Sequence, residues 1–239
     1  MEQTADFATA KSWAAELLGD NNSAKYYLAP ENFVVAYRDG GSFTFVTSNN
    51  EEPGNPRYYS QMYGDEAHFD ERANFLSVAS EKAVVPQYMN SRQGFQFWEA
   101  TTSTHSYELP AGSRFEILES ADEINDLIDN HAPDSSVRPG DPETVFWGGI
   151  RKADGELAAL SVIVKWQSGF HMMASVLTRS SDRGKGFATL LASHVRAHAS
   201  TLGIEYIGLG VRTTNVAAQR AYEKAGFRKL AEFTNYSRE

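Results

Sequence analysis

The 239-residue chain contains no cysteine. That absence excludes a disulfide framework, a thiolate-ligated metal and a thiol nucleophile. Cations are in deficit, with 22 Lys and Arg against 31 Asp and Glu, a formal net charge of −9. Nucleic acid as the main partner would need a dense basic face, so that class is set aside, while a local basic pocket is not. The start, MEQTADFATAKSWAAELLGD, has no basic leader ahead of an apolar core, and no later run is long and apolar enough to span a bilayer. The expectation is a cytoplasmic protein without a membrane partner. Histidine is also scarce. Of six, only His194 and His198 share an i,i+4 helical spacing, without the Glu of an HExxH site or a nearby third ligand. No metal is expected.

What is present describes a folded chain: 41% hydrophobic and 12% aromatic residues, long enough for one large or two small domains. ELPAG (108–112) interrupts the pattern and divides the chain into an N-terminal α+β domain, 1–110, and a second domain, 112–239. In the first, ENFVVAYRDGGSFTFVTS reads as a hairpin turning at Asp39-Gly40-Gly41. DERANFLSVASEKAV (70–84) has helical spacing at Ala73, Leu76 and Val78–Ala79, and GFQFWEATTS (94–103) alternates as a strand. Its many aromatics read as core, and no chemical constellation stands out.

The second half is more orderly. RFEIL (114–118) is a strand, and ADEINDLIDNH (121–131) a helix with Ile124, Leu127, Ile128 and His131 on one face. Three strands follow near 144–151, 157–166 and 169–178, turning at Ala153-Asp154-Gly155 and Gln167-Ser168-Gly169. Then comes RGKGFATLL (183–191), the entry to a helix whose stripe is Phe187, Leu190, Leu191, Val195, Ala199 and Leu202, stopped by Gly203. His194 and His198 edge that stripe and read as packing residues. A strand, a Gly-bearing loop and a helix with free N–H groups can hold a diphosphate, with Arg183, Lys185 and Arg179 adding charge. Two familiar phosphate loops do not fit: no Gly stands where GxxxxGK[ST] needs one, and Thr189 occupies the last position of GxGxxG. A further strand, IEYIGLGVR (204–212), leads to a helix, TTNVAAQRAYEKAGF (213–227), on which Asn215 and Tyr222 lie seven residues and about 10 Å apart on one face.

Arg183-x-x-Gly186-x-Ala188 and, after the next strand, Asn215…Tyr222-Glu-Lys-Ala-Gly226-Phe227 together resemble the GNAT superfamily of N-acetyltransferases over residues 112–239. The resemblance implies an α/β domain with a mixed sheet flanked by helices and splayed between the SVLT strand and the IGLGV strand. Two-domain relatives suggest the N-terminal half as a degenerate copy of the same fold, although no sequence repeat links the halves. It implies acetyl-CoA or another acyl-CoA as co-substrate, and a primary amine of a small molecule or peptide as acceptor. Val176, Leu177 and Thr178 would offer backbone groups to the pantetheine arm. Residues Gly184, Lys185, Gly186, Phe187, Ala188 and Thr189 would wrap the pyrophosphate, Asn215 would hold the pantetheine, and Tyr222 would protonate the leaving thiolate.

Departures from the family pattern leave the base open. Gly210 occupies the position of a Glu base found in one branch, so His171, Glu205 or a water relay remain candidates. Ser180 replaces a common Pro, and only twelve residues follow Phe227, which implies a shortened last strand pair. Plainer readings stand beside these: the glycines as a turn, Asn215 as a helix cap, Tyr222 as a core ring. The acidic segment 108–143, with Asp122, Glu123, Asp126 and Asp129 on its helix, suggests a cationic acceptor or a solvated face. A non-catalytic acyl-CoA-binding or partner-interaction protein is the alternative function.

Overall fold

The structure is a computed structural model that describes residues 1–49 and 56–238. In chain order it carries β1 (Glu2–Thr4), α1 (Phe7–Leu18), β2 (Phe33–Asp39), β3 (Ser42–Asn49), β4 (Arg57–Tyr63), β5 (Phe75–Val78) and β6 (Asn90–Thr101). These are followed by β7 (Arg114–Ile117), α2 (Ala121–His131), β8 (Thr144–Arg151), β9 (Leu157–Lys165) and β10 (His171–Thr178). Last come α3 (Phe187–Thr201), β11 (Tyr206–Arg212), α4 (Val216–Lys224) and β12 (Arg228–Ser237). The architecture is mixed α/β. The chain divides into two compact units, one of Met1–Phe97, Arg212–Thr214 and Lys229–Glu239, the other of Trp98–Val211 and Asn215–Arg228.

In the first unit β1, β2, β3 and β4 pair antiparallel in sequence order, and β4 pairs parallel with β5. The β2–β3 hairpin closes from Asp39 to Ser42 with Gly40 at φ 55°, a left-handed turn residue as the Asp-Gly signal requires. Asp6 caps α1 by accepting from the Thr9 N–H at 2.8 Å, and Ala10, Trp13 and Ala14 are its buried face.

The helix expected over 70–84 is absent. Turns flank β5, whose burial alternates with Leu76 and Val78 inside. The Leu76–Val78 spacing of two, read as part of a helical pattern, is the strand period, and pairing with β4 on one side and β12 on the other decides the matter. The last twelve residues also differ from expectation. They supply no shortened pair but one ten-residue strand, β12, which pairs antiparallel with β5 from Thr234↔Val78 to Ser237↔Phe75.

The second unit repeats the same pairing scheme: β7, β8, β9 and β10 antiparallel in order, then β10 parallel to β11. The two units thus share a topology that no sequence repeat betrays. They differ at their parallel pair. β4 and β5 are paired at all four residues of β5, whereas β10 and β11 pair only at His171↔Ile207 and Met172↔Gly208. Beyond Met172 the two strands part, as expected of a splayed sheet. On its other side β10 slips register against β9 between Ala174 and Leu177, where Ser175 adopts φ 45°. The split therefore leaves the last turns of β10 without a partner on the β11 side. Below it lies a core in which Ile150, Leu191, Val195 and Ile207 are fully buried. Each such side chain is worth roughly 1.5–3 kcal/mol. Leu202, placed on the apolar stripe of α3 by its spacing, is exposed at the helix end.

Candidate active site

β10 ends at Thr178, a single 3₁₀ turn covers Ser180–Asp182, and the chain enters α3 through Gly184 and Gly186 at φ 79° and 87°. Both glycines occupy the left-handed region that L side chains avoid. Gly186 is the residue that caps α3, with no side chain to satisfy the helix start. Among the described residues, the backbone N–H groups of 184 to 188 donate to no acceptor, the first helical bonds being Thr189 and Leu190 to the Gly186 carbonyl. Open space lies where a Cβ would stand on either glycine. A run of free donors at a helix's positive end, with nothing shielding it, suits an anion such as a diphosphate.

A cavity of about 600 Å³ opens beside this loop within the second unit. Three groups of sequence-derived residues line it: Val176, Leu177 and Thr178 at the free end of β10; Arg183, Gly184, Gly186, Phe187, Ala188 and Thr189 from the loop and first turn of α3; and Asn215 and Tyr222 on the α4 side. Asn215 also caps α4, its Oδ1 accepting from the Ala218 N–H at 3.2 Å, so the plainer reading of that residue holds as well. Thr189 Oγ1 donates to the Ala221 carbonyl at 3.3 Å and fixes the two helices against each other. Tyr222 is 6% exposed, its ring belongs to the core with Phe227, and its hydroxyl has no hydrogen-bond partner among the described residues. Burial pushes the phenol well above the ordinary tyrosine range, so it remains protonated at neutral pH.

The family model for the acetyltransferase (GNAT) family matches residues 111–227, the stretch that contains both helix starts and the split strands. Residues 111–227 are a GNAT acetyltransferase domain. No curated protein sequence matches the chain. A GCN5-related N-acetyltransferase from Sphaerobacter thermophilus is 15% identical and aligns over 98% of this chain and 94% of its own, with a TM-score of 0.62. One from Kribbella flavida is 16% identical over 95% of this chain and 94% of its own, with a TM-score of 0.58. At such identities the likeness is one of fold, and it takes in the N-terminal half.

Within the GNAT domain several sequence expectations fall elsewhere. Lys185 does not line the cavity: its Nζ pairs with Asp182 Oδ1 at 2.9 Å, and Lys152 stands 3.5 Å from the other oxygen. Burial pushes the Asp182 carboxyl up, yet Lys185 and Lys152 outweigh it and hold the group below the usual range, ionised and locked under the loop. Arg179 Nε is likewise committed, to the Leu157 carbonyl at 3.0 Å. His171 begins β10 at its paired end, about 23 Å along the strand from Thr178, and neither it nor Glu205 lines the cavity. Burial and nearby Lys165 lower the His171 pKa. His194 and His198 pack on Phe115 and Phe146, as their spacing suggested.

The cavity also has walls that the motifs did not name. His131, at the end of α2, accepts at Nδ1 from the Ser180 N–H at 3.4 Å, and its carbonyl takes Arg183 at 3.1 Å. Arg220 and Lys224 line the α4 side. Helical spacing groups both with Ala217, three and seven residues earlier and also on the cavity wall, whereas nothing local links His131 to a loop some fifty residues later.

The Gly226-Phe227 pair has a packing cause. Gly226 has φ 86°, and a Cβ there would fall 2.5 Å from an Arg196 guanidinium nitrogen. That guanidinium donates to the Ala225 and Thr101 carbonyls, closing the end of α4. Gly226→Ala is expected to destabilise the fold by about 2–3 kcal/mol, the left-handed backbone penalty plus a disturbed buried contact, measured as a denaturant midpoint shift at constant slope. A shift of a few tenths would show that Arg196 simply moves aside.

Proposed function

We propose that the chain transfers an acyl group, acetyl by preference, from acyl-CoA to a primary amine. One observation carries this reading: a cavity at a split parallel strand pair combines the unpaired N–H groups of 184–188 with an unpartnered, protonated Tyr222 hydroxyl. The residues suit CoA. The N–H run and Arg183 match a diphosphate, and the free end of β10 offers main-chain groups to the amide-bearing arm. When bound, CoA presents its acyl group as a thioester. The amine forms a C–N bond as the C–S bond breaks, the Tyr222 proton passes to the departing sulfur, and the proton lost by nitrogen leaves through water. A free N–H at the end of β10 would stabilise the oxyanion. The cationic acceptor suggested by the acidic segment 108–143 draws little support from α2, where Glu123 pairs with Arg151, Asp129 pairs with Arg138, and neither lines the cavity. Incubation with acetyl-CoA and a panel of amines, read as thiol release, tests the proposal.

The second reading, an acyl-CoA-binding protein without turnover, draws on the distance of His171 and Glu205 from the cavity. CoA binding with no thiol release across the whole panel would favour it. Absence of CoA binding would overturn both.

A further inference from the structure

A carboxylate has the wrong sign for a site that holds anions, yet Asp182 lines the cavity and is 1% exposed. Its two partners, Lys152 and Lys185, do not line the cavity, so neither touches a ligand there. We infer that Asp182 and Lys152 are positioning residues for the donor loop. The buried carboxylate, held between a lysine of the scaffold and a lysine of the loop, keeps the N–H groups of 184–188 converged before the diphosphate arrives. The inference rests on the acyl-CoA reading above.

The root of the loop is fastened to the start of β9. The Arg179 N–H donates to the Ala158 carbonyl at 2.8 Å and its Nε to the Leu157 carbonyl at 3.0 Å. The Asp182 N–H then closes the 3₁₀ turn on the Arg179 carbonyl at 2.9 Å, which brings the carboxylate to the β8–β9 turn. There Lys152 Nζ stands 3.5 Å from Oδ2, a buried oxygen with no hydrogen-bond partner among the described residues. Oδ1 takes Lys185 Nζ at 2.9 Å, across Gly184. Beyond Asp182 the chain is exposed from 183 to 186 and is buried again only at Phe187. The two left-handed glycines in that span have open space around them and give the loop no packing of its own. Glycine also has the most backbone freedom to lose on ordering. The ion triad therefore supplies the order that packing does not, and a loop ordered in the free protein spares the ligand that cost.

Asp182→Asn keeps the shape and removes the charge, and its effect on CoA affinity has a decisive sign. A carboxylate acting only through its field repels a diphosphate, so its loss would tighten binding. A carboxylate that shapes the loop acts the other way, and Asp182→Asn is expected to bind CoA about tenfold more weakly. The variant strands no buried charge, because Lys152 keeps Glu156 at 2.8 Å and Asp154 at 3.2 Å, and Lys185 is exposed. Lys152→Met should weaken binding similarly, and the double variant by no more than the weaker-binding single, as for two residues sharing one interaction. Titration calorimetry with CoA on all four proteins, with thermal melts to check folding, is the experiment. In turnover, the acetyl-CoA KM of Asp182→Asn should rise while kcat falls far less. Tighter or unchanged binding by Asp182→Asn, or wild-type affinity restored in the double variant, would overturn the positioning role and leave the donor reading intact. Failure of the wild-type protein to bind CoA would instead remove the acyl-CoA reading, and this inference with it.

Discussion

Gly186→Glu is expected to weaken CoA binding by more than about a hundredfold, a loss of roughly 3 kcal/mol, while the protein stays folded. The residue is the cap of α3 at φ 87°, the point where the unpaired N–H groups converge. A glutamate there carries a negative charge to the helix's positive end, can take the donors itself, and repels a diphosphate. The space around the missing Cβ is open, so no core atom is displaced. What remains is the left-handed penalty of about 1–2 kcal/mol, partly offset by a carboxylate at a helix N-terminus. Gly186→Ala carries the same backbone penalty without the charge and should lose far less affinity. Titration calorimetry on both variants, with thermal melts as the check on folding, separates the causes. If Gly186→Glu binds CoA as the wild type does, the loop is only a turn.

Tyr222→Phe should leave CoA affinity unchanged and lower kcat by roughly 10²-fold, the usual contribution of a lost general acid. The ring remains in its core contacts with Phe227, so stability changes little. Only an unpartnered hydroxyl is removed, which leaves no buried group unsatisfied. The pH profile supplies an independent sign. Burial disfavours the phenolate, so Tyr222 titrates above the ordinary tyrosine value, and no loss of rate assignable to it should occur up to about pH 10. Presteady-state acyl transfer with chemistry limiting is the measurement. Wild-type rates for Tyr222→Phe would make the residue a packing ring.

The second unit was legible because its local signals agree with its tertiary contacts. The 3.6-residue stripe of α3, the Asn cap and Gly stop of α4 and the Gly-bearing loop are all decided within a dozen residues of chain. Lys185 shows where that ends. As a cation beside two glycines it matched a phosphate loop, yet Asp182 three residues earlier claims it, and an ion pair under a loop has no pattern of its own. The 70–84 segment failed for the opposite reason. Four residues of strand, Phe75–Val78, are stabilised by neighbours from β4 and from the far end of the chain, and no local propensity reports that. His131 reached the cavity by the same kind of long-range placement.

The pairing of β12 with β5 also bears on the order of assembly during synthesis. Val78 meets Thr234, so the strand that pairs with β5 is made only after the residues of the second unit, which run to Arg228. At ribosomal speeds of 5–20 residues per second, roughly ten to thirty seconds separate the appearance of the two strands. For that interval β5 holds an open edge next to β4, the kind of exposed ladder that invites the wrong partner. The brevity of β5 limits the hazard. The N-terminal unit is thus completed only after the second unit has been synthesised.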